Sequence, residues 1–394
     1  MHRSMLSLLP VLWSLAACAS SASAQGGVRP GPLWGPLQPG PYAVGFSTSM
    51  TVDEDRAVDA DRAGRPIRLM VWYPAAPFDA APLTVGAYFR HAVPADWTAP
   101  YHAALHGRDM DVASRQFSPP SDSLRDLLFR VPAAASADAE PAIRDAPLVV
   151  HAGGRNNFQQ EGIVLWEYLA SHGYAVVVIP QFGPTLERPR VDFTLEDLDT
   201  QARDILHAVR AAAEMPFVDA SRTAILGHSS GSIAGLMAAS RDPRIDLLIG
   251  LDGSTTTGEG AELLGEEPFV EDVAATVVEL YAQGKQDRSE ALAERMAAAP
   301  VHLVGLGGGV PPSLATHFDF QMWPVLTYVL EQADERARGA RPEALGAAFY
   351  WTTARLARSF LEARDGGTAR EAVAVASLAF PGVELHYAFR PPGP

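Results

Sequence analysis

The chain has 394 residues, of which 47% are hydrophobic and 20% charged, with a mean hydropathy of +0.01. Such a chain can bury a large core, which excludes wholesale disorder. Its 46 acidic residues outweigh 31 basic ones for a net charge of -15, which argues against nucleic-acid backbones and anionic membrane surfaces as partners.

Residues 1–24 read as a secretory signal: Arg3 at the start, an apolar stretch from Met5 to Ala17, and small residues ending in Ala22-Ser23-Ala24. The apolar stretch is too short to span a bilayer as a mature helix. Cys18, the single cysteine, rules out an intramolecular disulfide framework and a thiolate metal cluster. Leu15-Ala16-Ala17-Cys18 resembles a bacterial lipobox. Two processing outcomes stand: lipidation at Cys18 with attachment to the membrane, or cleavage before Gln25 and release. Both imply export, to the periplasm or beyond the cell. Uptake of a palmitate analogue distinguishes them.

Residues 25–41 are rich in Pro and Gly and read as a flexible or polyproline-like leader. Two β-like runs follow, Tyr42 to Val52 and Ile67 to Tyr73, with an acidic, turn-rich hairpin-type connection at 53–65. The stretch 75–145 is rich in Ala and Pro and yields one plausible helix, Ser121 to Phe129.

From Pro147 apolar runs alternate with helical ones. The runs are Leu148 to His151, Tyr174 to Pro180, Thr223 to Leu226, Leu247 to Leu251 and Val301 to Leu306. Helical patterns fall at Gly162 to His172, Leu195 to Ala213 and after Ser229. Continuous Val/Ile/Leu strands between helices predict an α/β fold, a mostly parallel doubly wound sheet with helices on both faces and an N-terminal β extension. Residues 42–394 read as a single domain with insertions near 75–145 and 254–299. Within the second, Phe269 to Ala282 and Arg288 to Ala298 have helical patterns, which suggests a helical cap over the site.

Gly227-His228-Ser229-Ser230-Gly231 matches G-x-S-x-G directly after a strand-like run and before a small-residue helix, the setting of a nucleophile elbow. A nucleophilic serine needs a base, and the base an orienting carboxylate, on loops at the same end of the sheet. Asp252 is the first polar residue after the run Leu247 to Leu251, whereas Val301 to Leu306 leads only into Gly307-Gly308-Gly309. His317 lies in a loop after the last core run and completes the order Ser, Asp, His. The oxyanion is assigned to the backbone amide of Ser230 and, from the turn His151-Ala152-Gly153-Gly154, to that of Gly153. Phe182, Tyr88 and Phe89 are candidates to line the substrate pocket. His102 and His106 stand four apart, but no third ligand accompanies them and Gly107 predicts a helix break, so no metal site is assigned. Met322 and Trp323 read as packing for a final helix.

These residues resemble the plasma-type platelet-activating factor acetylhydrolase family and its bacterial relatives among the α/β-hydrolases. The likeness spans roughly 42–330. It rests on Val71-Trp72-Tyr73-Pro74, the His151 to Gly154 turn, Leu169-Ala170-Ser171-His172-Gly173-Tyr174, the Gly227 to Gly231 elbow and Leu251-Asp252-Gly253. The resemblance implies an α/β-hydrolase fold and a serine esterase that removes short or oxidised acyl groups from phospholipids without cofactor or metal. This chain departs from the family's usual motifs in carrying Ser230-Gly231-Ser232 after the nucleophile and Ala152 after His151. A small-molecule or lipid ester is the expected substrate. A secreted serine peptidase of the same fold, or a non-catalytic binding lipoprotein, are the alternatives; a peptide-amide assay and inertness to esters would reveal them.

Overall fold

The computed structural model describes residues 30–59, 64–90, 96–116, 126, 129–265, 267–282, 286–296, 298–307, 316–333, 343–364, 368–377 and 383–392. Strands β1 (Ala43–Asp53) and β2 (Arg65–Ala75) pair antiparallel in unbroken register, from Ala43↔Ala75 to Asp53↔Arg65. The acidic stretch between the two β-like runs is thus the hairpin connection its composition predicts. Eight more strands complete one sheet: β3 (Ala135–Ala137), β4 (Ala146–Ala152), β5 (Ala175–Ile179), β6 (Val218–His228), β7 (Ile245–Leu251), β8 (Thr276–Ala282), β9 (Val301–Gly307) and β10 (Glu384–Arg390). Their spatial order is β10-β9-β8-β7-β6-β4-β5-β2-β1-β3. From β5 across to β9 every neighbouring pair is parallel. β2 joins β5 antiparallel, and β10 joins β9 antiparallel.

Continuous apolar strands are what a sheet covered on both faces requires. Leu148 and Val150 pack into one helical layer and Val149, between them, into the other, because successive side chains leave a strand on opposite faces. One layer contains helices α3 (Leu195–Ala213), α4 (Ser230–Ala239) and α5 (Gln286–Arg295); the other contains α2 (Ile163–Ser171), α6 (Trp323–Ala333) and α7 (Glu343–Ala363). Helix α3 shows the logic locally. Leu198, Ala202, Ile205, Val209 and Ala212 form its buried stripe. Thr194 caps its start by accepting the Asp197 amide at 3.3 Å, with acidic residues in the first turn and Arg210 in the last. Strand order reverses at β4, with β5 on one side and β6 on the other, which opens a crevice at their carboxyl ends.

Three expectations are corrected. Phe269 to Ala282 is not a cap helix, since Thr276–Ala282 is β8, an interior strand between β7 and β9. Glu279 interrupts its apolar pattern, yet is buried there. The helix expected at 288–298 is α5, and it packs against the sheet as a layer helix. In the other insertion, helix α1 (Ala99–Gln116) runs straight through Gly107, whose Cβ position is open space, so the glycine costs only its weak helix propensity. The helix expected at 121–129 lies almost wholly outside the described residues. The leader is no loose tether from Pro30 onward: Pro32–Trp34 forms a 3-10 turn, and Leu33, Trp34 and Leu37 are buried. Trp34 Nε1 donates to Glu167 at 2.9 Å, and Trp351 Nε1 to the Leu33 carbonyl at 3.1 Å. No described helix is long and apolar enough to cross a membrane.

Candidate active site

The crevice at the carboxyl ends of β4 and β6 holds the turn from β6 into α4. Ser229 sits there at φ 54°, ψ -124°, a strained conformation for a residue with a side chain. The flanking glycines are sterically required: a Cβ on Gly227 would come within 2.6 Å of the Ser232 backbone, and one on Gly231 within 2.1 Å of the Ala152 carbonyl. Ser229 Oγ lies 3.4 Å from Ser254 Oγ, and its carbonyl accepts the Ser254 amide at 2.9 Å, which ties the elbow to the loop after β7.

Asp252 begins that loop, also at positive φ, 46°, and is fully buried. One carboxylate oxygen accepts the Ala282 amide at 2.8 Å; the other lies 2.7 Å from His317 Nδ1. The loop is held from beneath by Glu279 of β8, which accepts the Gly253 amide at 2.7 Å and the Thr255 hydroxyl at 3.3 Å. His317 opens a short 3-10 turn with a Thr316/Asp319 capping box and is about one-third exposed. Its ring stacks on that of His228, the residue before Ser229, at 4.9 Å with planes 24° apart. The structure therefore brings Asp252 and His317 into direct contact and stacks His317 on His228, the chain neighbour of Ser229.

Ser230 is the first residue of α4, where the amide has no acceptor within its own helix and faces outward from the N-terminus. Across from it, a Cβ on Gly154 would lie 3.2 Å from Ser229 Cβ, so this glycine keeps the main chain close to the serine. Gly154 donates its amide to Glu161 at 3.3 Å, and the Gly153 carbonyl accepts Gln181 Nε2 at 2.6 Å.

Glu161 was not singled out by sequence. It is buried, and its carboxylate also meets His151 Nε2 at 2.9 Å, His228 Nδ1 at 3.1 Å and Asn157 Nδ2. Burial alone would push this carboxyl up, but the two histidines more than offset it and hold Glu161 well below the usual carboxylate range. His228 is moved the other way: burial disfavours its charge, yet Glu161, with Asp252 adding, raises it above an ordinary histidine. The available signal was Gln159-Gln160-Glu161, a polar run at the start of an apolar helix; all three are buried.

Of the pocket candidates, Tyr88 and Phe182 are core residues and Phe89 lines a cavity. Tyr88 is a core residue, packed on Phe46 and Trp72 and donating its hydroxyl to Glu167 at 2.7 Å. Phe182 is buried with Val58, Tyr101 and Leu105 beneath α1. Phe89 stacks on Phe129 and Phe158 and lines a cavity of about 640 Å³ with Gly86, Met110, Arg90 and Arg130. Met322 and Trp323 are buried at the start of α6, as their packing role requires. Among the described residues no three His, Cys, Asp or Glu side chains are grouped to hold a metal.

No protein-family model matches the sequence, and no curated protein matches it. Among solved structures, the ferulic acid esterase from Streptomyces cinnamoneus is similar, with a TM-score of 0.62 at 20% identity over 87% of this chain and 96% of that one. The fold is that of an α/β-hydrolase. In α/β-hydrolases the nucleophile stands on a strand-to-helix elbow at the top of the sheet, with acid and base following in chain order. Ser229, Asp252 and His317 occupy the elbow after β6, the loop after β7 and the loop after β9 of this hydrolase fold.

Proposed function

We propose that the protein is a serine carboxylic-ester hydrolase. The observation that carries this reading is the 2.7 Å contact of His317 Nδ1 with buried Asp252, the His317 ring stacked on the residue that precedes a serine in the strained elbow conformation. In the proposed reaction His317 Nε2 takes the Ser229 proton as Oγ attacks the ester carbonyl carbon. Asp252 holds the imidazole with Nε2 toward the serine and stabilises the imidazolium that forms. The amides of Ser230 and Gly153 receive the oxyanion. The imidazolium then protonates the leaving alkoxide, giving an acyl-enzyme on Ser229. Water, deprotonated by His317, releases the carboxylic acid and restores the serine.

Short-acyl or oxidised phospholipids and other lipid-like esters are the proposed substrates. The motif likeness to the platelet-activating factor acetylhydrolases supports that choice. The similarity in fold to a ferulic acid esterase supports ester cleavage more broadly. Ser229→Ala tests the reading: it should abolish hydrolysis of p-nitrophenyl acetate and labelling by a fluorophosphonate. Retention of both would overturn the assignment.

A further inference from the structure

Glu161 ties together three parts of the chain: the end of β4 with its own turn, the elbow after β6, and the segment that follows the His317 turn. Its Oε1 accepts the Gly154 amide at 3.3 Å and faces His151 Nε2 at 2.9 Å, at the end of β4. Its Oε2 faces His228 Nδ1 at 3.1 Å, in the elbow, and takes Asn157 Nδ2 from its own turn. Its main-chain carbonyl accepts the Met322 amide at 2.9 Å, just after the 3-10 turn that carries His317. Four donors on two side-chain oxygens match the lone-pair capacity of an ionised carboxylate and of no neutral side chain of that size. A glutamine there would offer one oxygen and turn an NH2 group toward at least one donor.

Burying an ionised carboxylate is costly unless every lone pair is used, and core packing alone would be served as well by an apolar side chain. The placement of this one is specific. Its partner His228 precedes the nucleophile in sequence, and the His228 ring is the surface on which His317 stacks. Its partner Gly154 is a glycine whose Cβ would lie 3.2 Å from Ser229 Cβ. We propose that Glu161 is a positioning residue for ester cleavage, its carboxylate locking the elbow, the facing glycine turn and the His317 loop into one register. The inference rests on the serine-esterase reading. Its agent is a different side chain, which touches neither substrate nor Ser229 Oγ.

The test compares the wild type, Ser229→Ala and Glu161→Gln as full-length purified proteins. Expected for Glu161→Gln is a fall in kcat on the order of 100-fold with KM within about threefold. Fluorophosphonate labelling of Ser229 should slow by a similar factor on protein whose near-ultraviolet circular dichroism matches the wild type. A purely structural role would lower the melting temperature and leave kcat per folded molecule unchanged, and that outcome overturns the proposal. Should Glu161→Gln not fold, His228→Asn is read in its place, since it keeps a donor toward Glu161 but removes the ring beneath His317. A kcat loss of about tenfold or more at unchanged KM supports the proposal, and a wild-type kcat overturns it. If Ser229→Ala remains active, the esterase reading fails; if Ser229→Ala is inert while Glu161→Gln matches the wild type, only the positioning role fails.

Discussion

The Glu279 carboxylate accepts the Gly253 amide at 2.7 Å, so that a buried acid of β8 carries the loop that presents Asp252. Space for it is made on the neighbouring strand: a Cβ on Gly250 would lie 2.1 Å from Glu279 Oε2. Replacing Glu279 by leucine leaves the Gly253 amide and Thr255 hydroxyl without this acceptor in a buried site. Glu279→Leu should lower stability by about 1–3 kcal/mol and reduce kcat by tilting Asp252 under His317. Glu279→Gln retains an acceptor and should lose less of both. Urea unfolding and p-nitrophenyl acetate kinetics on the two variants check this, and equal behaviour would remove Glu279 from the support of the acid loop.

Glu279 also marks where the sequence stops being transparent. The strands β4, β5, β6, β7 and β9 were legible because each is centred on a short apolar run, as burial on both faces demands. β8 has the same environment but carries a carboxylate in mid-strand, and that single residue made Thr276 to Ala282 look like an amphipathic helix. The contact between Asp252 and His317 follows residues the sequence had already paired, Asp252 as the first polar residue past an apolar strand and His317 from chain order. Glu161 was not legible, because its partners His151 and His228 lie 10 and 67 residues away and meet it only once the sheet has formed. Trp34 was hidden for a different reason: Pro and Gly dominate its neighbourhood, and a docked strap has the same composition as a loose leader.

That strap yields a stability prediction. Trp34 is 1% exposed, packs edge-on against Tyr168 at 5.8 Å and donates to Glu167, a carboxyl that burial pushes above its ordinary value. Trp34→Ala leaves a large cavity and removes a donor from a buried acid, and should destabilise by about 3–5 kcal/mol. Truncation past Leu37 should lower the melting temperature sharply. A melting temperature unaffected by that truncation would contradict the docked leader.

Acid stability should depend on His172. Its Nδ1 lies 2.8 Å from the Tyr168 carbonyl, which requires a proton there, and Arg358 Nη1 donates to its Nε2 at 2.7 Å, which requires none. The ring is thus fixed as a neutral tautomer, and burial brings it down from 6.5 to about 4. The unfolded chain binds a proton near 6.5 and the native one only near 4. The stabilisation is complete above 6.5 and is lost progressively as pH falls toward 4. His302, lowered to about 4 by burial, acts in the same direction. His172→Gln should therefore lose less stability than the wild type between pH 7 and pH 5, by about 1 kcal/mol after allowance for solvent contact. Identical pH slopes in urea titrations would rule out His172 as the titrating group.

Gly154 provides the sharpest steric test of the site. An added Cβ would meet His228 Nδ1 at 2.9 Å and Ser229 Cβ at 3.2 Å. Neither neighbour can retreat easily, since His228 is bonded to Glu161 and Ser229 is held in the elbow by the Leu251 carbonyl at 3.2 Å and by its own bonds to Ser232 and Ser254. The strain must therefore be relieved by moving the glycine turn away from Ser229, which in the proposed reaction would displace the Gly153 amide from the carbonyl to be attacked. Gly154→Ala should fold, lose no more than about 1–3 kcal/mol of stability, and lower kcat on the order of 100-fold, the usual consequence of a displacement near 1 Å at a reacting centre. Because the elbow itself stays in place, fluorophosphonate should still label Ser229, more slowly. Wild-type turnover by Gly154→Ala would show that the turn can move without consequence, and the oxyanion donor would then have to be sought outside 153–154.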